Sequence, residues 1–198
     1  MTILTATGFE KRAVRRAVRT NTNARIVQAG IGRGGTFDDD VISCGIAGGL
    51  RTGVPSGTVV IPPLIARPSG ESVRCDEDLT RALIESARRL GVEPLAAPLV
   101  TSSVFVREAA RAIWADRGFA AVDMESGLIL APRVAAVRVI LDTPERELSE
   151  GWQQPFGFFI RPGMWSDLPW LARNAPRCAE LAAKIVGNML ETRIPSNH

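Results

Sequence analysis

Two acids, Asp123 and Glu125, are the first side chains in this sequence whose types and spacing could do chemistry. They follow a short apolar run, Phe119 to Val122, which predicts the end of a strand. Ligand-binding groups of open α/β proteins gather at such strand ends, so acids there favour a role in binding or catalysis. A structural role competes with this interpretation: Asp123 or Ser126 caps the following helix, and the other acid lies on its first turn.

A third acid, Asp142, ends the apolar, β-prone run Val134 to Leu141, which contains Arg138. A carboxyl group among apolar neighbours tends toward a raised pKa, so Asp142 is a second candidate proton donor. An aspartate that simply opens a loop before Thr143 is the competing interpretation. The single histidine is the last residue and tyrosine is absent, which leaves carboxylates, lysines and cysteines as acids or bases.

Glycines follow several of the predicted strands. Gly8 opens a helical segment that begins near Glu10, where backbone amides and Arg12 form either an anion cradle or an ordinary turn. The run from Gly45 to Leu50 lets a flat ligand lie against bare backbone, or it forms a tight bulge. The run from Gly30 to Gly35 satisfies GxGxxG, but no helix follows and the acids come too early, so a dinucleotide site is rejected.

Composition places the chain among ordinary globular proteins. With 198 residues, 45% hydrophobic and 23% charged, it suits one domain over residues 1–198. The net charge of +3 is carried mostly by arginine, which favours anionic ligands, and no nucleic-acid motif accompanies it. Three scattered cysteines predict neither disulfides nor a metal site. Without a signal peptide or an apolar run of about 20 residues, a cytoplasmic location is expected.

Alternating strands and helices predict an α/β fold. We expect a single three-layer domain in which helices flank a mixed, mostly parallel sheet. Two crossovers are short: the one from Ala29 to Val41 has no room for a helix, and a helical pattern after Ser126 stops at Pro132. The proline-broken aromatic segment from Glu150 to Trp170 is not expected to form a regular helix. It either packs over the core or covers an apolar ligand.

Four stretches, taken together and in order, resemble the nucleoside phosphorylase and methylthioadenosine nucleosidase family. They are Gly8 to Arg12, Gly45 to Leu50, Val122 to Ser126, and Arg138 to Asp142. The resemblance implies cleavage of an N-glycosidic bond in a small nucleoside. It also implies a homo-oligomer, because family members are usually dimers, trimers or hexamers. Fuller helices are usual in the family at both of the shortened crossovers.

The resemblance also assigns roles to five residues around the nucleoside. Asp142 corresponds to the acid that protonates a purine ring nitrogen. Glu125 corresponds to the carboxylate that holds the ribose hydroxyls, and Met124 to the side chain that packs against the sugar. Ala47 and Gly48 correspond to the bare backbone beside the base.

The nucleophile distinguishes the two branches of the family. Gly8 to Arg12 resembles the phosphate cradle of bacterial purine nucleoside phosphorylases, whereas a nucleosidase is expected to carry a glutamate in place of Arg12. Arginine cannot act as a base, so this favours phosphorolysis. Glu10 is the alternative base if the alignment slips by two residues. Ile46 stands where many phosphorylases have a phosphate-binding serine. Arg138 corresponds to a family position whose charge is expected to organise the acid loop or to meet the nucleophile.

Within the family, the sequence looks most like the hopanoid-associated phosphorylases. This likeness rests on Val122 to Ser126, on the loop from Leu141 to Pro144, and on the tail from Arg161 to Pro176. It implies phosphorolysis of adenosylhopane with release of adenine, inorganic phosphate as co-substrate, no cofactor, and peripheral contact with a membrane. The aromatic segment from Trp152 to Trp170 would line the site of the lipid substituent. A methylthioadenosine-type nucleosidase and a catalytically weak nucleoside-binding protein are the alternatives.

Overall fold

The computed structural model describes residues 1–18, 23–148 and 162–193. Four α-helices lie in these ranges: α1 (Gly8–Ala17), α2 (Glu77–Arg89), α3 (Ala109–Asp116) and α4 (Pro162–Arg193). The strands are β1 (Thr2–Thr5), β2 (Arg25–Gln28), β3 (Gly35–Thr36), β4 (Val41–Gly49), β5 (Val59–Val60), β6 (Leu64–Ala66), β7 (Ser72–Arg74), β8 (Leu99–Thr101), β9 (Ala121–Asp123), β10 (Ile129–Leu130) and β11 (Val134–Ile140).

The main sheet is mixed and mostly parallel, and its order is β2-β1-β4-β9-β8-β6-β7. The long strand β4 organises it, because β4 pairs in parallel with β1 and β11 and its last two residues pair antiparallel with β9. Strands β1, β4 and β11 therefore end at the same edge of the sheet. The predicted single α/β domain, with a mixed sheet flanked by helices, is confirmed.

Helices α1, α2 and α4 cover one face of this sheet. Residues of β4 and β11, such as Ile42 and Val137, pack there against Val14 of α1, Leu83 of α2 and Ile185 of α4. All five are fully buried, and burial of apolar surface stabilises a fold by about 25 cal/mol per Å². Among the described helices, none combines the length and apolar character needed to cross a bilayer.

The two shortened crossovers meet each other. The connection from β2 to β4 contains only β3, and the segment after Ser126 forms one 3-10 turn followed by β10. Strands β3 and β10 pair in parallel, with Gly35 opposite Ile129. The helix expected after Ser126 is therefore wrong: too few residues precede Pro132 for an α-helix, and pairing with β3 satisfies their backbone. Gly34 cannot carry a side chain, because a Cβ there would overlap the carbonyl of Leu128.

The expectation that the aromatic segment cannot be helical is wrong from Pro162 onward. Helix α4 runs for 32 residues and contains Pro169 and Pro176. An internal proline costs a helix about 3 kcal/mol or more. Packing of α4 against α1, α2, β4 and β11 outweighs that penalty, which the local sequence pattern does not reveal. The earlier part of the segment, from Glu150 to Arg161, lies outside the described residues, as does its proposed contact with a lipid substituent.

Candidate active site

A cavity of about 140 Å³ lies where β1, β4 and β11 end, next to β9, which pairs with the last residues of β4. This position follows from the topology, because the carboxyl ends of parallel strands meet at one edge and their loops surround the same space. The lining residues are Ala6, Thr7, Glu10, Ile31, Ile46, Ala47, Gly48, Val122, Asp123, Met124, Glu125, Leu141, Asp142 and Leu148. The cavity thus has an apolar wall and four carboxyl groups.

The structure brings five of the predicted site residues into this cavity: Ala47, Gly48, Met124, Glu125 and Asp142. A sixth, Arg138, is 1% exposed and lies behind the cavity, where it contacts carboxylates that line it.

The two predicted phosphate ligands do not line the cavity. Gly8 and Arg12 are both exposed on α1, whereas Thr7 and Glu10 of the same segment do line it. On a helix with about 3.6 residues per turn, positions 10 and 12 face nearly opposite directions. The helix face that meets the cavity therefore carries Glu10 and turns Arg12 toward solvent.

Glu10 is held by backbone and side-chain donors from two elements. Thr7 caps α1, and its N–H and hydroxyl donate to Oε2 of Glu10 at 2.8 and 2.7 Å, which completes a capping box. The other oxygen, Oε1, accepts from the N–H of Ile46 at 2.9 Å. The Thr7-x-x-Glu10 spacing is the sequence signal of this capping box, and it accounts for the burial of Glu10 without reference to catalysis.

Gly45 allows β4 to pass beside these charges. A Cβ at this position would overlap Oε1 of Glu10 and lie 2.7 Å from Nη1 of Arg138. Gly48, three residues on, lines the cavity and leaves little room for a side chain. A Cβ there would lie 3.2 Å from Val122 and 3.3 Å from Oδ1 of Asp142. The glycines of the Gly45 to Leu50 run therefore provide close approach of backbone to charged side chains and to the cavity.

Arg138 is the buried cation of the site. Its Nη2 lies 2.7 Å from Oδ2 of Asp123 and 3.6 Å from Oε2 of Glu125, and it donates to the hydroxyls of Ser43 and Ser126 at 2.7 and 3.0 Å. Burial acts to lower the pKa of this guanidinium, but the surrounding carboxylates outweigh burial and raise it. Arg138 is thus a permanent charge that holds two acids in place.

Asp123 combines the capping role with an electrostatic one. Its Oδ1 accepts from the hydroxyl of Thr101 at 2.6 Å, and its Oδ2 accepts from the N–H of Ser126 at 3.2 Å. The same Oδ2 is paired with Arg138. With all these partners inside the protein, Asp123 is the structural member of the Asp123–Glu125 pair.

Glu125 is covered by the glycine loop from Gly30 to Gly35. The N–H of Gly32, a residue with φ of +69°, donates to Oε1 of Glu125 at 3.0 Å. Burial raises the pKa of Glu125, and the nearby Arg138 partly opposes that shift. The GxGxxG spacing therefore serves a turn that positions a carboxylate, and β3 rather than a helix follows it.

Asp142 is tied to a residue that sequence patterns did not single out, Arg111 of α3. Nη2 of Arg111 binds Oδ2 of Asp142, its Nη1 donates to the carbonyl of Gly49, and its Nε lies 3.0 Å from Oε1 of Glu147. Burial raises the pKa of Asp142, whereas the charge of Arg111 and its hydrogen bond act in the opposite direction.

A second, narrower space of about 50 Å³ adjoins the first beside Asp142. It shares Gly48, Val122 and Met124 with the larger cavity and adds Val104, Phe105, Val106 and Arg111. Bare backbone at Gly48 faces apolar side chains of the loop before α3, with a carboxyl group at one end. This shape and polarity suit a flat heteroaromatic ring with a polar edge.

Among the described residues, no group of His, Cys, Asp and Glu side chains has the arrangement needed to hold a metal ion. The three cysteines are buried thiols away from the cavity lining, and burial raises the pKa of Cys44 and of Cys75 to about 12. These thiols stay protonated at neutral pH, so the candidate site consists of carboxyl groups, Arg111 and Arg138.

Comparison with known proteins identifies the family of the sequence and solved structures that share its fold. The family model described as the phosphorylase superfamily matches residues 20–186. The native futalosine hydrolase of Helicobacter pylori strain 26695 superposes with a TM-score of 0.71 at 13% identity, covering 96% of this chain and 97% of that one. None of the curated protein sequences matches significantly.

Two nucleosidases with bound ligands have the same fold. The 5'-methylthioadenosine/S-adenosylhomocysteine nucleosidase of Neisseria meningitidis, in complex with methylthio-immucillin-A, has a TM-score of 0.70 at 17% identity and covers 96% and 98% of the two chains. That of Colwellia psychrerythraea 34H, in complex with adenine, has a TM-score of 0.68 at 16% identity and covers 96% and 93%. At such identities the likeness establishes a shared fold.

Proposed function

Because this chain belongs to the phosphorylase superfamily, we propose that it cleaves the N-glycosidic bond of an adenine nucleoside, with water as the nucleophile. One observation carries the proposal: Glu10, Glu125 and Asp142 face the same cavity from three different elements, and each is held by different partners. Three separately positioned carboxyl groups can serve the nucleophile, the sugar and the base.

Asp142 serves the leaving group. The narrow space between Gly48 and Phe105 receives the purine, and Asp142 lies at the end of that space. As the bond between C1' and N9 breaks, its electron pair passes to the purine, and a proton from Asp142 on a ring nitrogen lets adenine leave as a neutral base. The raised pKa that burial gives Asp142 suits a donor of this kind.

Glu125 serves the sugar. Its Oε1 is engaged by Gly32 and its Oε2 faces Arg138, so the carboxylate is fixed in one orientation in the wall of the cavity. A fixed carboxylate accepts hydrogen bonds from the ribose hydroxyls, and Met124 beside it packs against the sugar ring. The side chain therefore selects ribosides and orients C1' toward the nucleophile.

Glu10 serves the nucleophile. Its carboxylate takes a proton from a water molecule that attacks C1', and the released sugar keeps the hydroxyl. The charge of the site supports water over phosphate, because three carboxyl groups (Glu10, Asp123 and Glu125) surround one guanidinium, and Arg12 points away. An excess of negative charge repels a phosphate dianion and stabilises the positive charge that develops on the sugar.

The substrate carries an apolar group on the primary carbon of its ribose. Ile31 lines the cavity and is 62% exposed, and Leu148 lines it from the loop after β11, so the cavity has apolar side chains beside its opening. Adenosylhopane is the substrate that the sequence resemblance favours, and its lipid part accounts for peripheral contact with a membrane. No cofactor is needed for this chemistry. The homo-oligomer remains a prediction, which light scattering checks directly.

Phosphorolysis is the competing function, and the sequence from Gly8 to Arg12 favours it. Product analysis separates the two. Purified protein is incubated with adenosine, methylthioadenosine and adenosylhopane, with and without inorganic phosphate. Hydrolysis yields adenine and a free sugar at a rate that phosphate does not change. Formation of a sugar 1-phosphate establishes phosphorolysis, and calorimetric binding of adenine without release from any substrate identifies a nucleoside-binding protein.

A further inference from the structure

Arg111 is an unusual residue for its helix. On α3, apolar positions such as Ile113 face solvent, with 54% of Ile113 exposed, whereas Arg111 is 3% exposed and is the one residue of this helix that is buried. Burial of a guanidinium is costly unless its donors are paired. Its guanidinium contacts three groups at the end of the site where Asp142 lies: Asp142 itself, the carbonyl of Gly49, and Glu147.

The pairing between Arg111 and Asp142 is one-sided. The guanidinium occupies Oδ2, whereas Oδ1 is the oxygen closest to Gly48, 3.3 Å from the position of a Cβ there. A proton on the carboxyl group avoids the oxygen that already faces a cation, so it resides on Oδ1. The acidic proton therefore points along the wall where the purine lies.

We propose that Arg111 is a positioning residue that directs the acidic proton of Asp142 toward the purine and sets the pH range over which Asp142 donates it. The inference rests on the proposed function, because it assigns a role to Arg111 through the acid of that reaction. Neither residue motifs nor the resemblance to a family pointed to α3.

The electrostatics of the pair have two opposing parts. Burial raises the pKa of Asp142, the charge of Arg111 and its hydrogen bond lower it, and the negative charge of Glu147 raises it. Removing Arg111 therefore raises the pKa of Asp142 further, and removing the charge of Glu147 lowers it. Opposite shifts from two neighbouring substitutions distinguish this role from a general loss of structure.

Other titratable groups near the pair are few. Glu147 is also paired with Arg107 at 3.4 Å, and Glu145 in the same turn accepts from the N–H of Gly53 at 2.8 Å. On the cavity side, Asp123 lines the same space as Asp142 but is paired with Arg138. Both substitutions leave Arg107, Glu145 and Asp123 in place, so they act on the Arg111–Asp142–Glu147 cluster.

The test is a carbon-13 NMR titration of protein labelled at the aspartate carboxyl carbons. The Asp142 signal is assigned by its absence from Asp142→Asn. In Arg111→Met the midpoint of Asp142 is expected to rise by about one pH unit or more relative to the unaltered protein. In Glu147→Gln it is expected to fall. Arg117→Gln is the matched control, because Arg117 caps the same helix but is exposed and lies over the ring of Trp114 at 5.0 Å.

Catalysis supplies a second readout. The alkaline limb of kcat/KM for adenosine is expected to move in the same directions as the Asp142 midpoint. The kcat of Arg111→Met is expected to fall by about tenfold to a hundredfold, because the acidic proton of Asp142 is no longer directed at the purine. Arg111→Lys keeps the charge but cannot bind three partners at once, so it should retain the pH limb and lose part of kcat.

Two results would overturn the inference: a folded Arg111→Met with an unshifted Asp142 midpoint, or a Glu147→Gln shift in the upward direction. If Arg111→Met does not fold by circular dichroism, Glu147→Gln decides the question by the direction of its Asp142 shift, and Arg111→Lys by a lowered kcat with the pH limb retained. The titration needs no turnover. A protein that shows the shifts but releases no adenine therefore contradicts the proposed function alone.

Discussion

The carboxylate of Glu10 accepts a hydrogen bond from the backbone N–H of Ile46 at 2.9 Å. This contact joins the first turn of α1 to the glycine-rich end of β4, two segments that are 36 residues apart. It places an acid in the cavity beside the backbone that the sequence assigned to the base, and it explains why residue 45 is glycine. The contact makes Glu10, rather than Arg12, the residue of α1 that lines the cavity.

Glu10→Gln is the direct test of this assignment. The amide keeps the size of the side chain and can still accept from Thr7 or Ile46, but it cannot take a proton from water. We expect kcat for adenine release to fall by about a hundredfold or more, with the protein folded. Release is followed by absorbance or by chromatography of free adenine.

Two comparison variants accompany it. Glu77→Gln changes an exposed acid in the first turn of α2 and should leave kcat unaltered. Arg12→Gln should also leave the rate and its phosphate response unaltered, since Arg12 is exposed. Loss of a phosphate-stimulated rate in Arg12→Gln would instead support phosphorolysis and contradict the role given to Glu10.

Glu125→Gln tests the sugar contact. A hydrogen bond to a charged acceptor contributes about 1.5–3 kcal/mol, so we expect kcat/KM for adenosine to fall by about tenfold to a hundredfold. For 2'-deoxyadenosine the loss should be smaller, because one of the hydroxyl partners is already missing. Equal losses for the two substrates would remove Glu125 from the ribose site.

The pH dependence of KM follows from the same side chain. Burial raises the pKa of Glu125, so it takes up a proton at a higher pH than an ordinary glutamate, whose pKa is about 4.3. The charged form binds the hydroxyls, and it is lost as the pH falls through the raised value. KM for adenosine should therefore rise on the acid side, and the rise should be absent in Glu125→Gln. A KM that is flat down to the ordinary range contradicts this.

Arg138→Met tests the buried ion pairs. The substitution leaves Asp123 and Glu125 buried without their cation, and breaking a buried pair in this way costs about 3–5 kcal/mol. The free energy of unfolding, measured in urea, should fall by that amount. Arg81→Met removes an exposed partner of Asp78 and should cause no measurable change. A stable Arg138→Met would mean that the acids bind protons when their cation is absent.

Gly48→Ala tests the space for the base. The added Cβ would lie 3.2 Å from Val122 and 3.3 Å from Oδ1 of Asp142, so it narrows the space proposed for the purine without overlapping either atom. We expect a folded protein in which KM for adenosine is raised more than kcat is lowered. Gly45→Ala should differ in kind, because its Cβ overlaps Glu10, so the protein itself should be destabilised. A wild-type KM in Gly48→Ala would place the purine elsewhere.

Much of this architecture is predicted by local patterns in the sequence. Alternating strands and helices predict the α/β domain, and small residues or acids directly after apolar runs predict that Gly48, Glu125 and Asp142 lie at strand ends. These inferences depend only on neighbours in the chain, whose periodicity is short. The same reasoning failed for α4, because its prolines argue against a helix locally and only packing against four other elements compensates for them.

The sequence by itself determined the kind of site: carboxyl groups and bare backbone at the carboxyl ends of parallel strands. Only the tertiary structure decided which residues complete it. Glu10 and Arg12 both lie on α1, but Glu10 is turned toward the end of β4, where it contacts Ile46, and Arg12 is turned toward solvent. Arg111 meets Asp142, and Gly32 meets Glu125, across 31 and 93 residues. Such contacts depend on how distant elements pack, which no local spacing encodes.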